Sequence, residues 1–136
     1  MNLIVKRFPG VGRGVCSTEP IRRGQVVEVS PVIVIPPAEW KRLRGTLIER
    51  YVFAWGRGGR LNAMPLGLGG VFNHADDPNL DWRPSPRLES LIFRARRDIA
   101  AGQQLTIDYG WTEAERRRWF DRRGTGNKSP RRRNPL

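Results

Sequence analysis

Short runs of β-branched and other apolar residues, each fenced by glycine or proline, are the feature that most narrows what this chain can fold into. They fall at residues 3–6, 14–17, 26–35, 51–55, 61–64, 80–83, 88–96 and 105–107. The breaks between them are Pro9-Gly10, Pro20, Gly24, Pro36-Pro37, residues 56–59, residues 84–86 and Gly102. Runs this short cannot make long amphipathic helices, but they suit strands whose prolines sit at boundaries, where a missing N–H least disturbs a ladder. The expectation is a mainly β domain of several small sheets with one or two short helices. One helix is expected at residues 37–43, where Pro37 suits a first turn and Glu39 the positive N-terminal end. The other is expected at residues 112–122, where Thr112 and Glu115 form a capping box.

At 136 residues the chain has room for one hydrophobic core, and an apolar share of 38% makes that core modest. The expected organisation is one domain over residues 1–121 and a basic, disordered tail over residues 122–136. The longest apolar run, residues 26–35, is interrupted by Glu28, Ser30 and Pro31, far from the roughly 18 apolar residues of a membrane span. Met1 leads into Lys6-Arg7 without the pattern of a secretory leader, so the chain reads as intracellular, soluble and cytoplasmic. A single cysteine, Cys16, cannot form an internal disulfide, and a single histidine cannot build a multi-histidine metal centre. No metal is expected, and Cys16, within a strand pattern, reads as core filling.

The net charge is +12, and half of it belongs to the six basic residues of segment 122–136, which holds no acid. Arginine outnumbers lysine by 22 to 3. Such a balance favours solubility and salt-sensitive attraction to polyanions, with weak nucleic-acid association through the tail as the sharper reading. No nucleic-acid recognition motif accompanies it.

Three segments break the strand pattern. In Gly10-Val11-Gly12-Arg13-Gly14 the glycines let backbone approach a ligand and expose N–H groups, although a plain hairpin turn reads equally well. It lacks the third glycine and following helix of a dinucleotide fingerprint. In Phe72-Asn73-His74-Ala75-Asp76-Asp77-Pro78-Asn79 an amide and an imidazole can hydrogen-bond in both directions. A polar loop that satisfies its own backbone is the alternative. Metal ligation by His74, Asp76, Asp77 and Asp81 fits no calcium-loop spacing. In the third segment, from Asp98 to Trp111, a short strand ends at Asp108-Tyr109-Gly110, and a tyrosine there also suits a core cap with its hydroxyl in water.

In this order and spacing the three segments resemble the SET domain, the lysine methyltransferase fold. The matching residues are Gly12-Arg13-Gly14, Asn73-His74 with Pro78-Asn79, and Asp98-Ile99 through Leu105-Thr106 to Asp108-Tyr109-Gly110. The likeness covers roughly residues 3 to 111. It implies small curved sheets around a pseudoknot that brings the second and third segments side by side. It implies S-adenosylmethionine as cofactor, with Gly12, Arg13 and Gly14 at its methionine end and Asn73 and the His74 backbone on its amino-acid and adenine portions. Tyr109 would be the catalytic residue facing the methyl group, and Trp111, or less directly Trp119, would cover the adenine. The implied partner is a protein that presents a lysine.

The chain also departs from the family pattern. Zinc-binding cysteine flanks are absent, so the compact form resembles free-standing bacterial or viral members. The usual Asn-His-Ser-Cys is Asn73-His74-Ala75-Asp76, and a common glutamate pair is Gln103-Gln104. Ile107 stands where many members have the aromatic residue that tunes methylation number, so the resemblance carries no expectation of mono-, di- or trimethylation. A degenerate module that binds cofactor or polyanion without methyl transfer is the alternative of a different class.

Overall fold

The computed structural model describes residues 1–110. The expected helix at 112–122, Trp111, Trp119 and the basic tail lie outside the described residues. The larger sheet holds β3 (Val26–Ile35), β4 (Phe53–Trp55), β5 (Leu61–Pro65), β7 (Leu80–Ser85) and β8 (Ser90–Ala95), in the order β4-β5-β3-β8-β7. The smaller holds β1 (Leu3–Phe8), β2 (Gly12–Ser17), β6 (Asn73–His74) and β9 (Gln104–Ile107), in the order β1-β2-β9-β6. The mainly β architecture and the expected strands are thus present, with the two-residue β6 in addition.

β3 serves two neighbours in succession. Its first part pairs with β8 from Val26 to Pro31, and its second with β5 from Val32 to Ile35. Pro31 sits at this handover, where its carbonyl accepts the Leu66 N–H at 2.7 Å. A residue without an N–H is tolerated inside a strand at the point where the ladder changes sides. α1 (Pro37–Leu43) follows at once, opened by Pro37 and with no buried residue. The expected strand at 51–55 is shorter than its apolar content suggests, because Leu47–Tyr51 forms a 3-10 turn. The buried Glu49 accepts the Gly45 N–H at 2.9 Å, and its own N–H reaches the Thr46 carbonyl. Local bonds of this kind draw backbone away from a sheet.

The core lies between the sheets. Phe53 and Trp82 meet edge to face at 4.8 Å, and Phe72 and Phe93 lie 4.8 Å apart. Val15, Leu105 and Ile107 contribute from the smaller sheet. Ile21 and Ile99, 1% and 2% exposed, pair their backbones across an isolated bridge. Burying each such side chain is worth about 1.5–3 kcal/mol before conformational entropy is subtracted. Cys16 is buried and has no disulfide partner.

The glycine run that precedes the second polar segment is built into this core. Glu28 on β3 accepts the Leu68 N–H at 2.6 Å, and the Ser30 hydroxyl donates to Glu28 and accepts from the Gly69 N–H. A Cβ on Gly69 would lie 2.7 Å from Ser30 Oγ and 3.0 Å from the Phe93 ring. Only a residue without a side chain fits this contact. The tight turn Gly67–Gly70 delivers Phe72 to the core and Asn73 to the smaller sheet.

Candidate active site

The site is organised by β9, which runs antiparallel to β2 and parallel to β6. Parallel neighbours cannot be joined by a tight turn. Asn73 and His74 therefore reach Thr106 and Ile107 only because the intervening strands β7 and β8 carry the chain around the core. All three polar segments converge here: Gly12-Arg13-Gly14 on β2, Asn73-His74 on β6, and Asp108-Tyr109-Gly110 just after β9.

Asn73 ties the first segment to the second. Its Nδ2 donates to the Arg13 carbonyl at 2.8 Å and to Gln104 Oε1 at 2.7 Å. Both amide hydrogens are thereby engaged, and among the described residues Oδ1 has no partner. Its remaining capacity is to accept. Gly14 allows this approach, since a Cβ there would lie 2.8 Å from Gln104 Oε1 and 3.0 Å from Asn73 Nδ2. Gly12, at φ +92°, would carry its Cβ into open space. Gly12-Arg13-Gly14 is thus strand rather than turn; the turn lies before it, where the Val11 N–H closes on the Phe8 carbonyl at 3.2 Å.

His74 and Tyr109 join the second segment to the third. The Tyr109 N–H donates to His74 Nδ1 at 3.0 Å, and the Tyr109 hydroxyl donates to the Phe72 carbonyl at 2.9 Å. The two rings lie 5.2 Å apart, tilted by 56°. Tyr109 is 9% exposed, so its hydroxyl is a buried, aimed group and not a cap turned to water. On the other side of the imidazole, Nε2 lies 3.1 Å from Asp76 Oδ1. Asp108 Oδ1 accepts the Gly110 N–H at 2.7 Å, which turns the chain after Tyr109.

The acids near this site go to separate partners. Asp77 pairs with Arg97 at 3.1 Å, Asp81 with Arg96 at 3.3 Å, and Asp76 with His74. Among the described residues no three His, Cys, Asp or Glu side chains gather where an ion could sit.

Three supporting residues have no individual role assigned from sequence. Asn79, 2% exposed, behaves as a piece of strand: its Nδ2 donates to the Gln104 carbonyl at 2.9 Å and its Oδ1 accepts the Thr106 N–H at 2.9 Å. Trp82 donates its indole N–H to the Asp108 carbonyl at 2.9 Å. Gln104, noted only as a replaced glutamate, accepts from Asn73, so a neutral hydrogen bond occupies that position. Pro78-Asn79 hinted at the first. Nothing local marks the other two, because their partners are remote in sequence.

Comparison with known proteins agrees with this arrangement. The family model of the SET domain matches residues 12–110. Over 108 residues the chain is 33% identical to the histone-lysine N-methyltransferase of Schizosaccharomyces pombe specific for histone H3 lysine 37, covering 76% of this chain and 72% of that protein. Among solved structures, a candidate histone methyltransferase of Plasmodium falciparum superposes with a TM-score of 0.63 at 24% identity, over 83% of this chain and 96% of that one. The methyltransferase domain of human histone-lysine N-methyltransferase SETMAR gives 0.64 at 21% identity, over 79% of this chain and 44% of that one. The structural likenesses speak to fold, whereas the family match over residues 12–110 spans all three segments that β9 draws together. The chain belongs to the SET-domain family of protein-lysine methyltransferases.

Proposed function

We propose that this chain moves a methyl group from S-adenosylmethionine to the side-chain amine of a lysine on another protein, with Tyr109 as the catalytic residue. One observation carries the reading: Tyr109, more than thirty residues from His74, has its N–H on His74 and its hydroxyl on the Phe72 carbonyl. A tyrosine held at its backbone and at its hydroxyl supplies a fixed dipole, whose oxygen stabilises developing positive charge without reorganising during the reaction.

The residues fit the cofactor. Asn73 Oδ1 is available to accept from an ammonium group, and the open side of Gly12 lets a ligand reach the β2 backbone beside it. We assign Gly12, Arg13, Gly14, Asn73 and His74 to cofactor binding, with Tyr109 at the methyl end; Trp111, outside the described residues, is proposed against the adenine. When bound, the sulfonium supplies an electrophilic methyl group and leaves as a neutral thioether. The protein must bring in the lysine amine uncharged and in line. Apolar surroundings disfavour the ammonium form, and alignment is the larger part of the rate gain. Phe72, next to Asn73, and Ile107, two residues before Tyr109, are fully buried and supply apolar surface on that side.

The relative specific for histone H3 lysine 37 makes histone H3 the first substrate to assay, beside an unfractionated cell lysate. Labelled S-adenosylmethionine should transfer its methyl to lysine, read by mass spectrometry. Tyr109→Phe should retain the fold and lose at least about 100-fold in rate, the scale of a lost oriented dipole. A wild type that labels no more than Tyr109→Phe defeats the enzyme reading.

A further inference from the structure

We propose that Asp76 is a positioning residue that acts through His74: its carboxylate holds the Nε2–H of the imidazole and so keeps Nδ1 as the acceptor that fixes the Tyr109 backbone. The inference rests on the proposed role of Tyr109 for its effect on rate, but the hydrogen-bond chain itself does not.

Donors and acceptors must match around the ring. A backbone N–H can only donate, and an ionised carboxylate can only accept. The Tyr109 N–H lies 3.0 Å from Nδ1, and Asp76 Oδ1 lies 3.1 Å from Nε2. Only the neutral ring protonated at Nε2 satisfies both. The other neutral tautomer sets N–H against N–H on one side and lone pair against carboxylate on the other. The doubly protonated ring keeps Asp76 but loses Tyr109, and turns its new Nδ1–H toward Asp108 Oδ1, 3.8 Å away. Asp108 Oδ1 is already engaged by the Gly110 N–H at 2.7 Å. Asp76 thus excludes the tautomer protonated only at Nδ1, the Tyr109 N–H excludes the doubly protonated ring, and together they select one of three states of a ring that holds the segment carrying Tyr109. The partner of a histidine's second nitrogen commonly sets its tautomer in this way.

Asp76 is suited to a clean test. Its side chain is 76% exposed, whereas that of His74 is 10% exposed, so the acid can be replaced without opening the core. In the pattern that the sequence resembles, this position is a cysteine, a weak acceptor. The device therefore belongs to this chain's departure from that pattern.

His74 is the chain's one histidine, so 15N-histidine labelling reports a single imidazole without assignment. In wild type the spectrum should show an unprotonated Nδ1 and a protonated Nε2. Asp76→Ala should shift the ring toward a mixture of forms, speed exchange of the Tyr109 amide, and lower kcat about three- to tenfold with the cofactor KM little changed. Asp76→Asn, whose side-chain oxygen still accepts, should restore the wild-type imidazole signals and most of the rate. An Asp76→Ala spectrum identical to wild type overturns the proposal, whatever happens to the rate, and so does an Asp76→Asn variant no better than Asp76→Ala. A ring that responds as expected in a protein whose wild type methylates nothing leaves the positioning intact and refutes the proposed function instead.

Discussion

Replacing Gly14 with alanine tests how the smaller sheet builds the cofactor side of the site. The new Cβ would stand 2.8 Å from Gln104 Oε1, 2.9 Å from Phe8 Cδ2 and 3.0 Å from Asn73 Nδ2. Two of these atoms end flexible side chains that bond each other at 2.7 Å. The methyl is accommodated by parting them, not by moving β2. The loss is about one hydrogen bond, roughly 1 kcal/mol, plus about 1 kcal/mol of overpacking against the Phe8 ring. For a domain near this size about 2 kcal/mol lowers Tm by roughly 6–12 °C, which leaves the protein folded at room temperature. Asn73 would shift its amide away from Gln104, and calorimetry should find S-adenosylmethionine binding weakened by at least about tenfold. Gln104→Ala supplies the control, because it removes one clashing atom. The double variant should lose about 1 kcal/mol less than the sum of the two single losses, the coupling expected of atoms in contact. Strict additivity in melting, or wild-type cofactor affinity in Gly14→Ala, would refute the wedge.

Two further substitutions probe the supports of β9. Asn79→Ala removes a buried side chain that bonds two backbone groups of that strand, and should cost about 2–4 kcal/mol in urea unfolding; a loss below about 1 kcal/mol would show that water replaces the amide. Trp82→Phe keeps most of the apolar contact with Phe53 but deletes the bond to the Asp108 carbonyl. It should cost about 1–2 kcal/mol and, through the turn at Asp108, lower methyl transfer more than cofactor affinity, to be read as a fall in kcat at unchanged calorimetric Kd.

Much of the fold is legible in the chain because it is decided locally. Alternating apolar residues and the glycines and prolines between them set the strands, and Pro37 with Glu39 sets α1 over Pro37–Leu43. Local patterns misled at Tyr51, where an apolar run was drawn into a 3-10 turn by the bonds of Glu49, and missed β6, whose two residues carry no period. The parts of the site that formed motifs were equally visible: Gly12-Arg13-Gly14, Asn73-His74 and Tyr109 stand out by residue type and spacing.

What sequence determined by itself was which segments would be polar, pliable and spaced as in a SET domain; the physical cause is residue chemistry and backbone freedom, both properties of short stretches. Tertiary structure alone decided that they meet. The parallel pairing of β6 with β9, the bonding of Asn79 to that strand and of Trp82 to the turn after it, and the bonding of one imidazole to both Asp76 and Tyr109 all join residues whose contact depends on how the intervening sheet closes around its core. Such contacts follow from the packing of the whole domain, and no local pattern encodes them.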